Sequence, residues 1–135
     1  MSIKISIILI NLSLLFYSCS LTKSDQLKNQ EHDIVYGSGC GRAGVDPYHR
    51  MLCEKYIDEK NIRKLEEWYE SDTLTIKVYA TEALIRIHNS KPFLTDDQIE
   101  SINKFKKSNK RIRTCSGCIY STDRIKEVLK KYAIK

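Results

Sequence analysis

Cysteine offers this chain its richest chemistry. Four of the five cysteines lie well inside the chain, at Cys40, Cys53, Cys115 and Cys118. The apolar segment at residues 1–18 indicates export, and an even number of cysteines in an exported protein is typical of structural disulfides. We therefore expect two bridges, which either cross between the early and the late pair or close locally within each pair.

Two other chemistries could use the same side chains. Cys115 and Cys118 form a CxxC motif, but a reactive thiol in such a motif gains from a helix N-terminus, and the next helix is expected only after Cys118. Zinc is the second alternative, because His49 and Cys53 lie four residues apart on one expected helix face and could join the other cysteines as ligands. An oxidising compartment would compete for those thiols. Structural bridges are therefore preferred, and we predict no catalytic residue, metal or cofactor.

Positive charge is concentrated in the last quarter of the chain. Residues 104–135 carry 11 Lys/Arg and 2 Asp/Glu, whereas residues 46–100 carry 8 and 12. Lysines at a helix C-terminus complement the helix dipole, so a solvated basic face explains part of this run. An exposed run of this kind also attracts anionic partners. The residues of the predicted anionic-partner surface are Lys104, Lys106, Lys107, Lys110, Arg111 and Arg113.

The first 18 residues have the composition of a signal peptide. Lys4 is their only charged residue, and residues 5–16 are apolar except for three. A transmembrane helix needs about 20 apolar residues, so this run suits export better than membrane spanning. We therefore exclude residues 1–18 from the fold.

A cysteine follows this segment in a suggestive context. Residues 14–20, LLFYSCS, resemble the lipobox of bacterial lipoproteins, although Phe16 and Tyr17 stand where that family usually has leucine and a small residue. The resemblance implies that residues 1–18 are removed and that Cys19 is acylated. Each buried methylene adds about 0.8 kcal/mol to membrane binding, so two or three chains anchor a protein stably.

The resemblance also implies a location and a class of partner. A lipid on Cys19 places the protein on a membrane of the bacterial cell envelope, and Ser20 is not the acidic residue that retains some lipoproteins at the inner membrane, which favours the outer one. Outside the cytoplasm we expect no nucleic acid, but an anionic or protein partner. Residues 19–36 are largely polar and are interpreted as a flexible tether.

Helical periodicity dominates residues 37–135, which we interpret as one domain. The third helix shows it best, since its apolar residues from Ile76 to Ile87 recur at helical spacing. Residues 108–120 are expected to be irregular. The predicted helix starts, each at a capping residue, are Asp46 with Pro47, Asn61, Asp72 or Thr73, Thr95 with Gln98, and Ser121 or Thr122.

Residues 61–87 carry a second resemblance. Their two expected helices, the inner one with the sequence VYATEALIRI, resemble one HEAT-type repeat. HEAT repeats are stacked helical hairpins that usually serve as binding scaffolds, and three or more are needed to close a core. The sequence therefore predicts an all-α, disulfide-stapled bundle of about five helices with HEAT-like stacking. Its predicted role is non-enzymatic binding or scaffolding, and the alternative is a thiol-redox or zinc-binding envelope protein.

Overall fold

The structure of the protein, a computed structural model, describes residues 34–135. The predicted signal peptide, the lipobox with Cys19, and residues 19–33 of the predicted tether lie outside this part of the chain. Residues 34–135 belong to one compact unit. Between residues 34 and 135, no helix is long and apolar enough to cross a membrane.

Helices make up much of the described chain. Asn61 caps the second by accepting a hydrogen bond from the Lys64 amide at 3.3 Å. Thr95 and Gln98 form the predicted capping box of the fourth. The five helices described are α1 (Tyr48–Asp58), α2 (Ile62–Tyr69), α3 (Leu74–Ser90), α4 (Asp96–Lys106) and α5 (Ile125–Val128).

The start of α1 differs from the prediction. Asp46 does not cap the helix, because its Oδ1 accepts a hydrogen bond from the Gly39 amide at 2.7 Å. Pro47 takes the cap position, and no side chain caps the helix there. Asp46 instead fixes the loop of residues 39–45 beside α1.

The prediction of an all-α fold is wrong, because three strands form a mixed sheet. They are β1 (Tyr36–Ser38), β2 (Arg111–Ser116) and β3 (Ile119–Arg124), in the order β1-β2-β3. β1 runs parallel to β2, and β2 runs antiparallel to β3. The sheet joins the two ends of the described chain, so the helices lie between strands in sequence and do not form a bundle of HEAT-like hairpins alone.

The hairpin replaces the irregular segment predicted at 108–120 and the helix start predicted at Ser121 or Thr122. β2 and β3 are connected by two residues, Gly117 and Cys118. Gly117 has a φ of +56°, and hairpin turns of two residues favour glycine where φ is positive. Chain reversal at this glycine therefore brings Thr122 into β3, and the last helix begins only at Ile125.

The core is centred on α3, as predicted from its periodicity. Tyr79 and Leu84 are buried, and α3 packs against both α1 and α2. Ile112 of β2 and Leu129, just after α5, complete the core from the sheet side. The buried centre of α3 extends around most of its circumference, because helices cover one side and the sheet covers another.

Candidate functional site

A pair of opposite charges lies buried between α1 and α3. Arg50 donates from Nη1 and Nη2 to the two carboxylate oxygens of Glu82, at 2.8 and 2.9 Å. The Glu82 side chain is 2% exposed and that of Arg50 is 9% exposed. Glu82 also accepts from the Tyr36 hydroxyl at 2.5 Å and from Arg86 at 3.2 Å.

These contacts set the protonation states of the cluster. Burial alone raises the pKa of the Glu82 carboxyl, but hydrogen bonds from Arg50 and Tyr36 more than offset it, so its pKa lies below the ordinary value. Burial and the neighbouring Glu82 raise the pKa of Tyr36 far above its usual range. The pair therefore stays ionised, and the Tyr36 hydroxyl stays protonated.

The same cluster fixes β1 to the helices. The Tyr79 hydroxyl donates to the Val35 carbonyl at 2.9 Å and accepts from the Gly37 amide at 3.1 Å. Arg50 donates from Nε to the Gly37 carbonyl at 3.1 Å, and its guanidinium lies 4.8 Å from the centre of the Tyr79 ring. No buried side-chain nitrogen or oxygen in the described part of the chain lacks a partner. The cluster is thus an internal joint between sheet and helices.

Gly37 allows β1 to lie very close to Cys115 of β2. A Cβ at this position would lie 2.1 Å from the Cys115 carbonyl oxygen and 2.7 Å from the Cys115 sulfur. Gly37 lies opposite Cys115 in the parallel register of β1 and β2. Only glycine leaves enough space for the disulfide beside this strand pair.

Only two of the four cysteines of the described residues are bonded to each other. Cys40 and Cys115 form a disulfide that ties the 39–45 loop to β2. Cys53 is a buried thiol whose Sγ donates to the Tyr79 carbonyl at 3.5 Å, and Cys118 is an exposed thiol. Burial raises the pKa of the Cys53 thiol to about 12, which makes it a poor nucleophile. One of the two expected bridges is thus present, and it is a crosswise one.

His49 lies among aromatic rings. Its imidazole is 5.8 Å from the ring of Trp68 and 5.5 Å from that of Tyr48, centre to centre. Burial lowers the pKa of His49. Within residues 34–135, no three His, Cys, Asp or Glu side chains converge as metal ligands. This packing against aromatic rings gives His49 a structural role.

Basic and aromatic side chains line a groove of about 540 Å³ between the start of α3 and the end of α4. The Lys77 ammonium lies 4.4 Å from the centre of the Tyr69 ring and 5.4 Å from that of Phe105. Asp72 is the one acidic residue that lines this groove. We call it the lysine groove and define it by Tyr69, Lys77, Lys104, Phe105, Lys107 and Lys110.

The lysines of this groove are available to a ligand. Lys104, Lys107 and Lys110 are exposed, and Lys77 is half-buried. Within residues 34–135 none of the four forms an ion pair, since the cations in ion pairs there are Arg50, Lys55, Lys64 and Arg86. Their charge is therefore directed at solvent and at whatever enters the groove.

The predicted anionic-partner surface divides among three places. Lys104, Lys107 and Lys110 line the groove. Lys106 turns away and donates to the Tyr132 carbonyl, and its partial burial lowers its pKa. Arg111 and Arg113 lie in β2. Helical spacing explains part of the separation, because Lys107, which directly follows α4, lies three positions after Lys104, whereas Lys106 lies only two after it.

Lys77, Tyr69 and the Arg50–Glu82 pair were missed in the sequence. Lys77 lies 27 positions before Lys104, and charge counting along the chain does not connect positions so far apart. Glu82 carried a usable signal, because it is a carboxylate between the apolar residues Tyr79 and Ala83 of a helix centre. A charge in that position needs a buried partner.

Comparisons with protein-family models, curated proteins and solved structures give no significant match. Of the predicted HEAT-like hairpin of residues 61–87, the structure shows that α2 packs against α3.

Proposed function

We propose that this protein is a lipid-anchored, non-enzymatic binding module of the bacterial envelope, and that the lysine groove receives an anionic partner. The observation that carries the proposal is the groove itself, with lysines free of ion pairs around two aromatic rings. The lipid anchor is supported by the lipobox-like sequence before Cys19.

The groove combines two kinds of attraction. Converging positive charges raise the local concentration of an anion before contact, and a concave wall concentrates that field. The half-buried rings of Tyr69 and Phe105 add apolar surface beneath the charges. A ligand with spaced negative groups on a ring or chain fits this arrangement, as in an acidic polysaccharide or an acidic protein segment.

The buried charges support binding over catalysis. Glu82 and Arg50 satisfy each other, and burial keeps the Cys53 thiol protonated. Glu54, the other carboxylate of the network, is held by Arg86 at 2.7 and 3.0 Å, and this hydrogen bonding lowers its pKa. These groups are committed to one another and are not directed at a substrate.

Calorimetric titration of the purified protein with a heparin oligosaccharide and, separately, with polyglutamate tests the groove. The double variant Lys104→Gln/Lys107→Gln should bind about tenfold more weakly, because two surface charges are removed. Lys55→Gln/Lys91→Gln, which removes equal charge elsewhere, is the matched control. Equal weakening in both variants, or no binding of either probe at low salt, would contradict the proposed site.

The anchor has its own test. Cys19→Ala should abolish labelling by a radioactive fatty acid and release the protein from the membrane fraction. Labelling that persists in this variant would show that Cys19 does not carry the lipid.

A second candidate function rests on Cys118, whose exposed thiol lies three residues from a disulfide cysteine. In thiol–disulfide exchange, the Cys118 thiolate would attack the Cys115 sulfur, form a Cys115–Cys118 bond and release Cys40 as a thiolate. No electrons are gained or lost in this rearrangement. Peptide mapping under non-reducing conditions would reveal the new bond, and its absence after prolonged incubation at mildly alkaline pH would remove this candidate.

A further inference from the structure

The β2–β3 hairpin places two arginines directly opposite each other. Arg111 is paired with Arg124 in the antiparallel register, and both side chains are exposed. Like charges in this position destabilise a sheet. Arg111 donates from Nη1 to the Thr122 carbonyl at 3.4 Å. Within residues 34–135 neither arginine forms an ion pair, so their repulsion is not relieved there.

A third arginine, Arg113, lies on the same face of the hairpin as Arg111 and Arg124. Side chains alternate along a strand and directly opposed residues share a face, so Arg113 lies on the same side as Arg111 and Arg124. Tyr120, which is 52% exposed, lies at the turn end of this side. Asp123, the one acidic residue of the hairpin, lies on the opposite face and accepts a hydrogen bond from Thr114. We call this side the arginine face and define it by Arg111, Arg113, Tyr120 and Arg124.

We infer that the arginine face docks on a phospholipid surface that carries anionic headgroups. A guanidinium binds phosphate oxygens through paired hydrogen bonds, so arginines on one face of a strand pair can each bind a headgroup phosphate. Tyrosine favours the membrane–water interface, where its ring and hydroxyl meet different environments. Phosphates between Arg111 and Arg124 would also relieve their mutual repulsion.

The position of the sheet in the chain supports this occupant, and the inference here rests on the proposed lipid on Cys19. Tyr36, in β1, follows Cys19 by 17 positions. A random-coil chain of 17 residues spans about 23 Å on average. β1 is hydrogen-bonded to β2 of the hairpin, so the anchored chain enters the domain in the sheet that bears the arginine face. A lipid on Cys19 would thus leave this face within reach of the bilayer.

Fluorescence quenching in reconstituted vesicles tests the docking directly. Cys118 is exposed at the hairpin turn, whereas Cys53 is buried and the other two described cysteines are bonded, so a thiol-reactive fluorophore labels Cys118. The acylated full-length mature protein is placed in vesicles of brominated phosphatidylcholine, with or without an equal amount of brominated phosphatidylglycerol. We expect strong quenching only in the anionic vesicles.

Charge variants locate the contact. Arg111→Gln/Arg124→Gln should reduce the docking equilibrium about 30-fold, which is about fivefold for each basic residue near an anionic surface. Lys55→Gln/Lys91→Gln removes equal charge from exposed positions outside both basic surfaces and should keep the quenching. The arginine variant should melt at the wild-type temperature or above, because it loses a repulsive pair. A lower melting temperature would give the arginines a structural role and overturn the inference.

Other outcomes also overturn it. Quenching that is equal in neutral and anionic vesicles, or that falls equally in both charge variants, would exclude specific docking by the arginine face. Failure of the lipid anchor is seen separately, as protein that does not float with neutral vesicles. For such unanchored protein, membrane binding is measured by flotation with anionic vesicles. Reduced flotation of the arginine variant alone supports docking by the arginine face, and any other result contradicts it.

Discussion

Replacing Arg50 by methionine is the sharpest perturbation of the internal joint. Methionine retains much of the length of the side chain but removes the charge that faces Glu82 at 2.8 Å. Glu82 would then be a carboxylate with a 2% exposed side chain and without its principal partner. Breaking one side of a buried pair is far more costly than losing a surface ion pair, because the remaining charge is poorly solvated.

The expected loss follows from the contacts that remain. Removing one member of a buried pair costs about 3–5 kcal/mol. Glu82 would keep Arg86 at 3.2 Å and the Tyr36 hydroxyl at 2.5 Å, which points to the lower end, about 3 kcal/mol. A domain of this size is stable by about 5–15 kcal/mol in total, so the loss is readily measured.

Urea unfolding of the purified protein, followed by the fluorescence of Trp68, measures this loss. Trp68 is the only tryptophan and packs 5.2 Å from the ring of Tyr56. Lys55→Met is the matched control, since Lys55 is on the same helix and its pair with Glu59 is exposed and 3.8 Å long. The control should lose less than about 1 kcal/mol.

The pH dependence and a double variant complete the test. The depressed pKa of Glu82 means that its stabilising effect is present above its ordinary pKa of 4.5 and lost as pH falls below it. The deficit of Arg50→Met should therefore shrink towards about pH 4, as the unpaired Glu82 becomes protonated. Arg50→Met/Glu82→Leu should be less destabilised than Arg50→Met alone. A deficit below about 1 kcal/mol, or simple additivity in the double variant, would refute a coupled buried pair.

Three further outcomes are expected, each measured by chemical unfolding. Gly37→Ala should destabilise the protein by about 1–3 kcal/mol or more, because its Cβ would lie 2.1 Å from the Cys115 carbonyl oxygen. Unchanged stability of this variant would show that β1 and β2 can separate there. Cys40→Ser should cost about 4 kcal/mol by opening a loop with a separation of 75 residues, whereas Cys118→Ser should cost almost nothing. The raised pKa of Tyr36 means that stability should be full below about pH 10 and fall above it, and Tyr36→Phe should flatten that fall.

Local signals in the sequence predicted the helices well. The capping box of Thr95 with Gln98 and the cap at Asn61 depend on residues within four positions of each other, and both were confirmed. The apolar period of α3 also located the centre of the core at residues such as Leu84. Such features arise within one or two helical turns, so they can be read without knowing the rest of the fold.

The strands depended on contacts that are remote in the chain. β1 contains three residues and pairs Tyr36 with Thr114, 78 positions later. In β2 only Ile112 and Cys115 are buried, so the strand shows no regular apolar alternation. Its arginines suggested a solvated loop, whereas their alternate positions give one basic face. Hydrophobic pattern therefore identified neither strand, and the all-α prediction followed from that failure.

The basic surface was predicted only in part, because contacts that are remote in the chain decide where its residues lie. Charge density singled out residues 104–113, but α4 ends within that range and β2 begins in it. One sequence run thus contributes to a concave groove through Lys104 and to an exposed strand face through Arg111. The proposed ligands differ accordingly, with a chain or ring in the groove and headgroup phosphates on the strand face.

The buried pair explains how so small a sheet takes one position against the helices. β1 is too short to supply much apolar area, and its central residue is Gly37, which has no side chain to bury. Its position is instead fixed by directional hydrogen bonds. Arg50 donates to the Gly37 carbonyl, the Gly37 amide donates to the Tyr79 hydroxyl, and the Tyr36 hydroxyl donates to Glu82. Hydrogen bonds to buried charged groups require specific geometry, whereas apolar contacts tolerate sliding. Because β1 is hydrogen-bonded to β2, the joint also fixes the position of the hairpin that carries the arginines.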